Sequence, residues 1–138
     1  MYPAELTQPM RAELTSIGVQ ELTTPEEVDA ALQADGTTLV FINSVCGCAA
    51  GGARPGLAAA LAASETKPDR VTTVFAGVDR EAVDQARTYL VGYPPSSPSV
   101  AMLKDGEVVW MLHRHQIEGR YPEQIAEALQ AAFAEFCG

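Results

Sequence analysis

The stretch TTLVFINSVCGCAAGGARPG, residues 37–56, decides how this chain is read. Its first seven residues, Thr37 to Asn43, are β-branched, aromatic or apolar and form a short run, the pattern of a central strand buried on both faces. CGCAAGG follows, and then an Ala/Leu segment over 53–64 in which Leu57 and Leu61 are four apart, so the strand passes through a glycine-rich turn into a helix. Cys46 and Cys48 lie in that turn. In an open α/β sheet, the crevice beyond the carboxyl ends of the strands is where ligands bind.

The flanking sequence extends the pattern. Upstream, a helical pattern covers about 4–15, and Thr24-Pro25-Glu26-Glu27 supplies an N-cap, a proline at the first helical position and a glutamate placed for a capping box. That second helix should stop at Gly36. Downstream, VTTVFAGV (71–78) reads as another buried strand, and Asp79 is placed to cap a helix from Arg80 to about Leu90. GYPPSSPS (92–99) then interrupts the alternation. SVAML and EVVWML flank Lys104-Asp105-Gly106, an Asp-Gly hairpin signal. A last helix runs from about Pro122 to Phe136, with Ile125, Leu129, Ala132 and Phe136 at helical spacing. A parallel βαβ half, an antiparallel hairpin and a closing helix predict a single α/β domain over 1–138. The arrangement is thioredoxin-like: a central mixed sheet of four to five strands flanked by helices on both faces.

Composition narrows the function. A 138-residue chain that is 47% hydrophobic and 20% charged can build an ordinary globular core without disulfide staples. The formal charge of −9 opposes a phosphate backbone or an anionic lipid surface, which argues against nucleic-acid and membrane partners. Residues 1–36 carry seven acids and one base, so most of that charge is N-terminal. MYPAELTQPM lacks the basic flank and apolar run of a secretory signal, and a cytoplasmic location is expected.

Three cysteines are too few for a disulfide scaffold, so Cys46 and Cys48 point to chemistry. A thiol at the start of a helix sees its unpaired N–H groups and positive dipole end, which favour thiolate. Arg54, six residues after Cys48, can add positive charge if its side chain turns toward the cysteines. A Cys-x-Cys disulfide closes a small ring, for which Gly47 would supply backbone freedom. Strain in that ring predicts a potential more oxidising than the roughly −270 mV of thioredoxin. The rival reading is a metal site in which His113 and His115 complete a four-ligand set; the plain reading of the two histidines is half-exposed strand residues beside Arg114. Pro98, just before the SVAML strand, can adopt a cis bond that turns the chain toward the cysteine loop, or be an ordinary loop proline. Cys137 falls at the unfavourable end of the last helix and should be a peripheral thiol.

FINSVCGCAAGGARPG (41–56), PPSSPS (94–99) and IEG (117–119), with PMRAELT at 9–15 and ELTTPEEV at 21–28, closely resemble the bacilliredoxin family. The resemblance implies a thioredoxin-like fold and removal of bacillithiol from S-bacillithiolated proteins, with disulfide isomerisation as a related activity. It makes Cys46 the nucleophile, Cys48 the resolving thiol and Pro98 the cis-proline beside them. Ser44, Gly47, Arg54, Ser97 and Pro98 are then the candidate substrate-contacting residues. S-bacillithiolated client proteins and bacillithiol are the implied partners, the latter as thiol co-substrate with no tightly bound cofactor. His113 and Gln116 stand where the family pattern has a proline and an acidic residue.

Overall fold

The computed structural model describes residues 2–138. Helix α1 (Ala4–Thr15), strand β1 (Gln20–Glu21), helix α2 (Pro25–Leu32) and strand β2 (Thr37–Asn43) lead to a π-helical turn at Ala49–Ala53 and helix α3 (Arg54–Ala63). Strand β3 (Arg70–Phe75), helix α4 (Arg80–Arg87) and the hairpin strands β4 (Ser99–Lys104) and β5 (Glu107–Leu112) follow, then the one-turn helix α5 (Arg114–Ile117) and helix α6 (Pro122–Phe136). The strands lie in the order β1-β3-β2-β4-β5. β3 runs parallel to β1 and β2, whereas β4 is antiparallel to β2 and to β5. This is the thioredoxin-like mixed sheet that the alternation of elements predicts.

All seven residues of β2 are buried, as its unbroken apolar run requires. Successive side chains point to opposite faces. Leu39 and Phe41 enter the layer formed by Leu14 of α1, Leu57 of α3 and Ile125, Leu129 and Phe133 of α6. Val40 and Ile42 enter the opposite layer, with Val28 and Leu32 of α2 and Ala82, Val83 and Ala86 of α4. Each large side chain so buried contributes about 1.5–3 kcal/mol. β2 is therefore fixed on both faces and both edges, and the loop leaving its carboxyl end starts from a rigid point.

Local signals were realised with some exceptions. Thr24 Oγ1 accepts from the Glu27 N–H at 3.2 Å while Glu27 Oε1 accepts from the Thr24 N–H at 3.2 Å, completing the capping box. The Asp105-Gly106 hairpin turn has both residues in the left-handed region (φ 51° and 86°). The strand expected over 71–78 covers Arg70–Phe75 instead, because the chain turns at Gly77 (φ +81°). Asp79 precedes α4 without capping it; its carboxylate pairs with Arg11 at 2.8 Å. His113 and His115, expected on a strand, fall at the start of and within α5. Among the described residues no helix is long and apolar enough to cross a membrane.

Candidate active site

Polar side chains shape the exit from β2. The Ser44 N–H donates to Asn43 Oδ1 at 2.9 Å, and the Cys46 N–H donates to Ser44 Oγ at 3.2 Å. The Cys46 carbonyl then accepts from the N–H groups of Ala49 (3.1 Å) and Ala50 (3.3 Å), so the helical run that becomes α3 starts at Cys46. Gly47 and Cys48 are already helical. Cys46 thus sits at the positive tip of a helix, where a thiolate is stabilised relative to the thiol.

Cys46 and Cys48 are joined by a disulfide, with Cα atoms 5.6 Å apart. Both are half-buried, and Gly47 between them is exposed. Cys48 packs against the core layer beneath α3 and α6. Gly47 does not use the conformational freedom expected of it. Its φ is not in the left-handed region, and a Cβ placed there would meet nothing within 4 Å. Its lack of a side chain is therefore not a requirement of the backbone geometry.

Arg54 is buried, at 2% exposure. The π-helical turn ahead of it brings its N–H onto the carbonyl of Ala49, five residues back. Its guanidinium faces inward, with Nη1 donating to Asn43 Oδ1 at 2.9 Å and to the Ser44 carbonyl at 2.8 Å. Nε pairs with Glu13 of α1 at 2.9 Å. Arg54 therefore grips the Cys46 turn from beneath.

The Ser97–Pro98 peptide bond is cis. Ser99 lies opposite Ile42 in the β4–β2 register, which places Pro98 at the end of the sheet where the chain leaves Asn43 for the cysteines. Pro98 is buried and Ser97 half-buried. Arg114 braces this segment, its Nη1 donating to the Ser97 carbonyl at 3.0 Å and its N–H to Ser96 Oγ at 3.3 Å. His113 and His115 stack on one another, with ring centroids 5.6 Å apart, along a cleft bordered by Pro94 and Pro95. The described residues hold no group of three or more His, Cys, Asp or Glu placed to hold a metal ion.

The structure thus brings Cys46, Cys48, Ser44, Gly47 and Arg54 together around one turn and sets Ser97 and Pro98 at the same end of the sheet. Asn43, Glu13 and Arg114 were missed in the sequence. The available signal for the first two was a lone arginine, Arg54, in a segment (49–63) otherwise made of Ala, Gly, Leu and one Pro, which requires polar partners if it is buried. Cys137 lies elsewhere, within reach of Thr37 at the opposite end of β2, and burial raises its thiol pKa above the ordinary range.

A family described as disulphide isomerase matches residues 2–137. A bacilliredoxin from Salinibacter ruber is 53% identical over 99% of this chain and 82% of its own length. One from Cytophaga hutchinsonii is 53% identical over 98% of this chain and 99% of its own. Among solved structures, oxidised mitochondrial thioredoxin 3 from Saccharomyces cerevisiae superposes with a TM-score of 0.58 at 17% identity, covering 89% of this chain and 98% of that one. The oxidised thioredoxin from Plasmodium falciparum gives a TM-score of 0.56 at 16% identity, covering 88% and 100%. The likeness to the thioredoxins is one of fold.

Proposed function

The chain belongs to the bacilliredoxin family, and from that premise we propose that this thiol-disulfide oxidoreductase removes bacillithiol from S-bacillithiolated proteins. The observation that carries the reading is Cys46 at a helix tip, bonded to Cys48 across an exposed glycine. The reaction starts from the reduced pair. The Cys46 thiolate attacks the bacillithiol sulfur of the mixed disulfide, that S–S bond breaks, and the client leaves as a thiolate that takes a proton from water. Cys46 now carries bacillithiol. The Cys48 thiolate then attacks the Cys46 sulfur and expels bacillithiol, leaving the Cys46–Cys48 disulfide, and two equivalents of a low-molecular-weight thiol reduce it again. The packing of Cys48 against the core supports the resolving role for it and the attacking role for Cys46. Exposed Gly47 and the Ser97–Pro98 segment flank the incoming client, while Ser44 and Arg54 act from below the turn. The cytoplasm, where thiols are kept reduced, is the compartment such a cycle requires.

Intact-mass spectrometry after mixing the reduced protein with a bacillithiolated client tests this. Cys46→Ala should transfer nothing, and Cys48→Ala should accumulate one bacillithiol adduct. Equal loss in both variants with no trapped adduct would refute the assignment. The family description favours a second reading, isomerisation of scrambled disulfides at the same site. Cys48→Ala distinguishes the two, because an isomerase retains part of its reshuffling activity with the attacking thiol alone.

A further inference from the structure

We propose that Arg54 is a positioning residue for Cys46, holding the turn that aims the thiol and biasing it toward thiolate. This rests on the reading that Cys46 is the attacking group. The guanidinium is 2% exposed and binds two acceptors of the turn, the Ser44 carbonyl at 2.8 Å and Asn43 Oδ1 at 2.9 Å. Asn43 Oδ1 also accepts from the Ser44 N–H, and Ser44 Oγ accepts from the Cys46 N–H. A continuous set of hydrogen bonds therefore joins Arg54 to the backbone of Cys46.

Charge acts in the same direction. Among the described residues, Arg54 and Glu13 are the charged side chains bonded to this turn or to its clamp. Their exposure is unequal: the Arg54 side chain is 1% exposed and that of Glu13 46%. Water screens the carboxylate far more than the guanidinium, so a net positive field remains inside the turn. A cation so placed favours the charged form of a nearby thiol. The π-helical turn is what makes this possible, since it sets Arg54 five residues from its backbone partner Ala49 and faces it to the β2 exit.

The test uses reduced protein in which Cys48→Ser and Cys137→Ser leave Cys46 as the single thiol. Thiolate absorbance against pH, together with the rate of alkylation by iodoacetamide, gives its midpoint. Arg54→Gln should raise the midpoint by about one unit, slowing alkylation about tenfold below it. Arg54→Lys keeps the charge but loses the planar group that holds the turn through Nη1 and Glu13 through Nε at once, and should fall between Arg54→Gln and the parent. Glu13→Gln retains an acceptor but removes the counter-charge, and should move the midpoint down. A packing role alone predicts no such opposed shifts. An unmoved midpoint in folded Arg54→Gln overturns the proposal; if that variant does not fold, an unmoved midpoint in Arg54→Lys does so. The titration involves neither client nor bacillithiol, so its outcome is independent of the transfer assay.

Discussion

Gly56 of α3 lies so close to Ile125 of α6 that a Cβ on the glycine would stand 2.7 Å from Ile125 Cγ2 and 2.9 Å from its Cβ, with the Pro122 carbonyl 3.3 Å away. No part of that contact is the free end of a flexible side chain. A methyl group at position 56 must push the two helices apart, and overpacking of this kind costs about 1–3 kcal/mol. Gly56→Ala should lower the urea midpoint accordingly with an unchanged slope. Because α3 continues the helical run that starts at Cys46, the variant should also alkylate Cys46 at a different rate from the parent while still folded.

Position 47 should respond in the opposite way. A methyl there meets nothing, and the backbone is already helical, so Gly47→Ala removes freedom from the unfolded chain without a clash in the folded one. Equilibrium unfolding of the reduced protein should show a gain of about 0.4–1 kcal/mol. Exchange with a protein mixed disulfide should slow more than exchange with a small one, because the methyl is added at the exposed position between the two sulfurs, where a protein client would be more crowded than a small thiol. A loss of stability would show that the glycine is needed for backbone geometry after all.

The contrast between positions 47, 54 and 56 shows which features a single sequence makes legible. β2, the cysteine turn and the hairpin were visible because each depends on neighbours in the chain: an apolar run, a strand-to-helix junction, an Asp-Gly pair between two apolar stretches. β1 is two residues long and exists through pairing with Thr72 and Thr73 of β3, some 50 residues away, so no local period marks it. α5 took residues expected to be strand because the His113 N–H donates to Gln116 Oε1 (2.9 Å) while Arg114 is drawn onto Ser96 and Ser97. Arg54 was legible as a charge near the cysteines but not as a buried clamp. Its partners Asn43, Ser44 and Glu13 come from β2, the following turn and α1, and only the folded chain brings them together.

Arg114 offers a way to separate client docking from sulfur chemistry. It ties α5 to the Ser96–Ser97 segment by hydrogen bonds, and its ion pair with Glu118 is about half exposed on both sides. Such exposed pairs contribute about 0–1 kcal/mol, so Arg114→Ala should be only slightly destabilised. Losing the brace on the segment ahead of Pro98 should raise KM for a bacillithiolated protein several-fold while leaving the Cys46 thiolate titration unchanged. Steady-state kinetics with a protein client, run beside the titration, distinguishes this from a general loosening of the site, which would move both.

Cys137 should take no part in exchange with the Cys46–Cys48 pair. It sits beside Thr37 at the start of β2, while Cys46 follows Asn43 at the other end. A seven-residue strand spans about 20 Å, and two cysteines bond only when their Cα atoms come within about 7 Å. Cys137→Ser should therefore leave transfer rates unchanged. Its effect should appear in alkaline stability instead. Burial raises the Cys137 pKa, reinforced by the Asp69 carboxylate and opposed by Thr37 and Lys104. The folded state then holds this proton more tightly than the unfolded chain. The resulting stability is fully present below the ordinary thiol pKa of about 8.5 and is lost as pH rises through the raised folded value. Urea midpoints of parent and Cys137→Ser at pH 7, 9 and 10 should differ by a constant up to the ordinary thiol range and converge above it. Tyr89, whose hydroxyl pKa is also raised, declines in both proteins and cancels in the comparison.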